Sequence, residues 1–343
     1  MKSKVFSSRA EKVQRLFKGW SVEGCLIENP LDLFYLTGLK MSAGALLISE
    51  KKIALFVDGR YIEFAKKASP FTVYPLKEIA SHVGKITAFD SHWTTFDRFE
   101  RLQKWGTEWK PISGPLKMIR AIKEKKEIVA LEKSAKLLWK GFLYLKKQLK
   151  VGVTEKEVAF EFEFFCRKNG AENLSFQPII AFGKNTAYPH YRAGNAKLKK
   201  GDIVLCDLGV VVESYHSDMT RTFFFGKADP RLIVIDSAVR EAHAAALKIC
   251  KPGIRVGDLD AAACKVIQTA GFEKYIAHSL GHGIGLETHE FPRLKLKGED
   301  DDVVLKEGMV VTIEPGLYLA GIGGVRHEDT VVITQKGYKN FYA

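Results

Sequence analysis

Four carboxylates in the second half of the chain stand inside or against runs of apolar residues. Asp207 lies in Val204-Leu-Cys-Asp-Leu-Gly209, and Asp218 directly precedes Met219-Thr-Arg-Thr-Phe-Phe-Phe225. Glu314 closes Met309-Val-Val-Thr-Ile-Glu314, and Glu328 opens Glu328-Asp-Thr-Val-Val-Ile333. Short apolar runs of this kind read as buried strands. One uncompensated carboxylate in such a strand is very costly, so four of them require a shared counter-charge. The fold must therefore bring distant strands together around one buried acidic centre.

The histidines point to what supplies that charge. His282 is flanked by glycines in Gly281-His-Gly-Ile-Gly285, which lets backbone approach closely, and His278 and His289 are near in sequence. One imidazole with four carboxylates is a hard, oxygen-rich set, suited to Mn²⁺, Co²⁺, Fe²⁺ or Zn²⁺ rather than a thiolate metal. Four negative charges exceed what one divalent ion balances. Two ions roughly 3.5–4 Å apart are the usual hydrolytic arrangement. His278-Ser-Leu-Gly-His282 is not a zinc-protease helix, because position 279 is Ser rather than Glu. Gly321-Ile-Gly-Gly324 lacks the spacing of a dinucleotide fingerprint.

Around this centre the patterns predict two domains. Residues 1–122 alternate helix and strand: a helix over 9–18, strands at 25–27 and 83–89, a hairpin of 45–49 with 53–57, and a helix over 61–68. This is an α/β unit with its own sheet. A long charged helical pattern over 122–148 marks the boundary. A second helix, 155–169, begins with the capping-box pair Thr154 and Glu157. Strands at 203–208 and 215–225, helices at 236–250 and 259–270, and strands at 309–313, 317–319 and 331–333 follow. That order predicts an α+β domain over 123–343, its helices on one face of an antiparallel sheet.

Asp207, Asp218, His282, Glu314 and Glu328, in this order and within these words, resemble the metal set of the pita-bread metallopeptidases. That superfamily includes methionine aminopeptidase, aminopeptidase P and prolidase. Asn29-Pro-Leu-Asp-Leu-Phe-Tyr-Leu-Thr-Gly38 and Val57-Asp-Gly-Arg-Tyr61 resemble the additional N-terminal domain of its proline-specific branch and of creatinase. Methionine aminopeptidases lack that domain, and creatinase lacks this metal set.

The resemblance implies a pita-bread catalytic domain behind a smaller creatinase-like domain. It implies two divalent ions, with Mn²⁺ the first choice: Asp207 on one, His282 and Glu314 on the other, Asp218 and Glu328 bridging. Glu314 would also be the general base for a metal-activated water. His190 and His289 match histidines that contact the scissile carbonyl. Arg293 matches an arginine that meets the substrate's terminal carboxylate in related prolidases. The implied activity is Xaa-Pro aminopeptidase on small peptides with proline second, with Xaa-Pro dipeptidase (prolidase) as the alternative. Relatives are often homodimers. Two departures from the family pattern are Phe182, which could reshape the proline pocket, and His327, where an apolar residue is usual.

The formal net charge of +13 raises a reading from another class, a non-catalytic module that binds protein or nucleic acid. Such modules lose metal ligands, and all five positions are intact here. No finger spacing or aromatic-studded basic run supports nucleic acid. Five scattered cysteines without a C-x-x-C pair read as reduced core thiols. No secretory h-region opens the chain and no run approaches 18 apolar residues, so a cytoplasmic protein without membrane spans is expected.

Overall fold

Alternating apolar segments of the first unit pair into a six-stranded mixed sheet. Gly24–Ile27 lies antiparallel to Ala45–Ser49, which lies antiparallel to Ile53–Val57. Ile86–Asp90 and Glu108–Ile112 extend the sheet in parallel on one side, and Thr72–Pro75 on the other. The hairpin has the expected bounds, but several elements differ from expectation. The first helix runs over Lys2–Gln14 and a short second one over Phe17–Trp20. Helices Pro30–Thr37 and Phe96–Gln103 were not anticipated. The first of these starts on Asn29, whose side chain accepts from Leu31 N, with Pro30 in the first turn.

The computed structural model describes residues 2–342, which fall into two compact units, 2–120 and 121–342. In the second unit, Lys125–Gln148 and Glu155–Lys168 pack together over a core that includes Leu138, Phe162 and Cys206. The Thr154–Glu157 capping box is present. A three-stranded antiparallel sheet joins Ile179–Phe182, Ile203–Leu208 and Met219–Phe224. A five-stranded antiparallel sheet carries Gly281–Gly283, Val310–Ile313 and Asp329–Ile333. Helices Pro230–Ile249 and Val256–Thr269 pack on each other and share a core with Val311, Ile313 and Val331 of that sheet.

Two boundaries are corrections. The run expected over 215–225 breaks into Tyr215–His216 and Met219–Phe224. The gap contains Asp218, and Ser217 Oγ within it bonds the Val210 backbone. The helix expected from 236 starts at Pro230, capped by Asp229, which accepts from Arg231 N. All five cysteines are free, four of them buried. Among the described residues, no helix is long and apolar enough to cross a membrane.

Candidate metal centre

The hairpin of Ile203–Leu208 with Met219–Phe224 sets Asp207 opposite Thr220. Upstream of Asp218, Glu213 and Ser214 both take positive φ (51° and 70°) in the two-residue link between short antiparallel strands. Such links favour hairpins whose central residues have this left-handed conformation. Thr220 Oγ1 donates to Glu328 Oε2 at 2.7 Å, tying the hairpin to the five-stranded sheet. His282 sits in Gly281–Gly283, packed so closely that a Cβ at 281 would overlap the Thr312 carbonyl, and one at 283 the Phe291 carbonyl.

The His282 ring is oriented by its own neighbour. Nδ1 lies 3.0 Å from the Gly283 carbonyl, which can only accept, so Nδ1 donates. Nε2 then faces the carboxylates, 3.3 Å from Glu314 Oε1 and 3.8 Å from Asp218 Oδ2. One donor atom each from Asp218, His282 and Glu328 falls within 4.8 Å of the other two. Asp207 Oδ1 and Glu328 Oε1 are buried without a hydrogen-bond partner. Orphaned carboxylate oxygens aimed into an acidic cluster are what cation ligands look like.

Electrostatics carry the same requirement. Burial, then repulsion from Glu328 and Asp207, pushes the Asp218 carboxyl well above the usual carboxylate range. Burial, then Glu314 and Asp207, does the same to Glu328. Burial also raises Asp207. Glu314 moves the other way. Burial acts to raise it, but the hydrogen bond and charge of His282 outweigh that and hold it below its ordinary value.

One buried cation already stands in the cluster. Arg326 pairs with Asp207 Oδ2, donates from Nε to Thr220 Oγ1 at 3.0 Å, and bonds the Tyr318 hydroxyl. That hydroxyl in turn lies 2.8 Å from His278 Nε2. One guanidinium against four carboxylates leaves a deficit of positive charge that divalent ions would fill. Sequence reasoning missed Arg326 and Tyr318. The rule that exposed the carboxylates, a charge set in an apolar run, applies equally to Arg326 in Gly323-Gly-Val-Arg326.

The four carboxylates, His278, His282 and Arg326 line a cavity of about 590 Å³, a usual size for a small-ligand site. All five residues expected as ligands reach it, as do His190, His289 and Arg293. The His289 ring lies 4.3 Å from that of His282. Arg293 is exposed at the rim, its Nε 3.3 Å from Ser279 Oγ. Phe182 does not line the cavity. Its ring is buried in the core with Leu138 and Cys206, so it does not shape a proline pocket directly. His327 also lies away from the cavity, against His243.

The sequence pattern of metallopeptidase family M24 matches residues 129–335. The chain belongs to that family. Its first part, residues 9–122, matches the creatinase/prolidase N-terminal domain. This M24 metallopeptidase is 35% identical to an Xaa-Pro dipeptidase of Pyrococcus furiosus over 348 residues, covering 96% of each chain. Among solved structures, an Xaa-Pro dipeptidase from Bacillus anthracis superposes with a TM-score of 0.94 at 33% identity, covering 98% of this chain and 97% of that one. An X-Pro aminopeptidase from Thermotoga maritima gives 0.87 at 31% identity, covering 98% and 97%. The M24 chain thus has the pita-bread catalytic fold and the creatinase-like domain expected of it, and it is a metal-dependent peptidase.

Proposed function

We propose that the chain hydrolyses Xaa-Pro dipeptides. This reverses the order of the two activities anticipated from the sequence, where aminopeptidase P came first. The similarity of the whole chain to proteins named Xaa-Pro dipeptidase, at 34–35% identity, supports the change. The observation that carries the chemistry is the buried carboxylate–imidazole cluster opening into a cavity with an exposed guanidinium at its rim.

Asp207, Asp218, His282, Glu314 and Glu328 are the residues that would hold two divalent ions, with Mn²⁺ the first choice and Co²⁺, Zn²⁺ or Fe²⁺ as alternatives. Bound there, the ions would supply Lewis acidity and activate water at neutral pH. Glu314, kept ionised beside His282, is suited to take the proton from the attacking water. The same carboxylic acid can return it to the proline nitrogen as the bond breaks. That nitrogen carries no hydrogen in the peptide and needs one to leave as an amine. His190 and His289, which line the cavity, would donate to the oxygen that gains charge. Phe176, Ile179 and Tyr191 offer apolar wall for a pyrrolidine ring. Of the arginines lining the cavity, Arg192, Arg293 and Arg326, we assign Arg293 to a free proline carboxylate.

Free cysteines fit a reducing, cytoplasmic setting. Assembly as a homodimer completes the reading and is checked by mass in solution. The test of activity is kcat/KM for an Xaa-Pro dipeptide against an Xaa-Pro-Yaa tripeptide with the same Xaa, Mn²⁺ supplied. A clear dipeptide advantage is expected. Equal or faster tripeptide cleavage makes the chain an aminopeptidase P.

A further inference from the structure

Residues 326–329 alternate between two environments, as extended chain does. Arg326 and Glu328 line the catalytic cavity, whereas His327 and Asp329 face His243 on helix Pro230–Ile249. The His243 and His327 rings meet edge-on, their centroids 4.7 Å apart. His243 Nε2 lies 3.5 Å from Asp329 Oδ2. His243 Nε2 and His327 Nδ1 are both buried without a hydrogen-bond partner. Buried polar atoms in folded proteins are nearly always satisfied, so two orphans side by side need an explanation.

Asp329 is held in place from the other side. Arg221 donates to its Oδ1 at 2.6 Å, and Asn340 Nδ2 to its Oδ2 at 2.7 Å. A carboxylate oxygen has two lone pairs, so Oδ2 can accept from Asn340 and still serve a cation. Hydrogen-bonded support of this kind is what orients metal-ligating carboxylates. One donor atom from each of His243, His327 and Asp329 lies within 4.8 Å of the other two.

We infer that His243, His327 and Asp329 form a second cation site, for a zinc-class transition metal, on the opposite face of the chain from the catalytic carboxylates. Two imidazoles and a carboxylate suit Zn²⁺ and exclude the hard ions Mg²⁺ and Ca²⁺. Tetrahedral donors about 2.0–2.2 Å from zinc stand roughly 3.3 Å apart, close to the His243–Asp329 separation. Arg221 offsets the charge of Asp329, so this site fills after the catalytic cluster. Glu328 is bonded between two of its ligands. Filling the site therefore fixes the segment from which Glu328 reaches the cavity.

Metal-stripped chain is loaded with excess Zn²⁺, desalted, and its zinc counted. His243→Gln and His327→Leu are each expected to hold one zinc fewer per chain than the unaltered protein. Asp218→Asn, which breaks the catalytic set instead, should retain about one. This last arm keeps the inference separate from the catalytic reading. Equal zinc in His327→Leu and the unaltered chain overturns it, leaving the orphaned nitrogens to a bridging water. Should the variants not fold, crystals of the unaltered chain grown with excess Zn²⁺ decide. An anomalous-scattering peak among the three side chains is expected at the zinc edge, and peaks confined to the catalytic cavity refute the site.

Discussion

Lys123 Nζ lies 3.1 Å from Glu290 Oε2, and the two side chains are only 1% and 5% exposed. Glu290 Oε1 also accepts from the backbone of Leu286 at 2.8 Å and Glu287 at 3.2 Å. The pair therefore anchors the turn that presents His289. Removing Lys123 takes the opposite charge from a buried carboxylate that keeps its backbone donors, at a cost of about 3 kcal/mol, the low end for a broken buried pair. Lys123→Met should lose about that much stability in denaturant unfolding and reduce kcat through a displaced His289. A loss under about 1 kcal/mol, the range of surface pairs, would contradict this.

Asp218→Ala should abolish activity and lower metal content, since Asp218 clusters with both His282 and Glu328. Asp229→Ala is the matched control. Asp229 caps helix Pro230–Ile249 outside the cavity, so that change should lower stability slightly and leave turnover intact. Wild-type turnover with full metal content in Asp218→Ala would sink the ligand assignment.

His289→Ala should retain metal and lose about 10²–10³-fold in kcat, the usual loss for a donor to a developing oxyanion. Metal analysis beside the kinetics separates this from ligation. If the metal leaves with the imidazole, His289 is a ligand.

Arg293→Ala should lower kcat/KM for the dipeptide more than for the tripeptide. An exposed guanidinium favours a carboxylate by about 1 kcal/mol, which is roughly fivefold. Equal losses on both substrates would show that Arg293 does not meet the proline carboxylate.

The acidic centre was legible because a charge in an apolar run is a local contradiction, and Asp207, Asp218, Glu314 and Glu328 each display it. The link from Arg326 through Tyr318 to His278 was not, because a tyrosine in a strand and a histidine in a loop contradict nothing locally. Helix Pro30–Thr37 escaped notice because five of its eight residues are buried, which erases the amphipathic stripe. Strands Thr72–Pro75 and Glu108–Ile112 form the two edges of their sheet, contain no fully buried residue, and each contains a proline. Edge strands tolerate that composition but do not advertise themselves by it. The early start of helix Pro230–Ile249 is signalled by Asp229-Pro230, a cap followed by proline, ahead of the hydrophobic period that begins later.

The missing side chains at 281 and 283 make the acidic centre difficult to transplant. A designer copying Asp207, Asp218, His282, Glu314 and Glu328 onto another antiparallel sheet would inherit ordinary strand spacing around the imidazole. Here the neighbouring carbonyls of Thr312 and Phe291 occupy the volume that a methyl group at either flanking position would need. The host would have to reproduce this crowding of main chain against main chain, with glycine on both sides of the histidine. In this protein the unit of inheritance is a stretch of backbone as much as a set of five side chains.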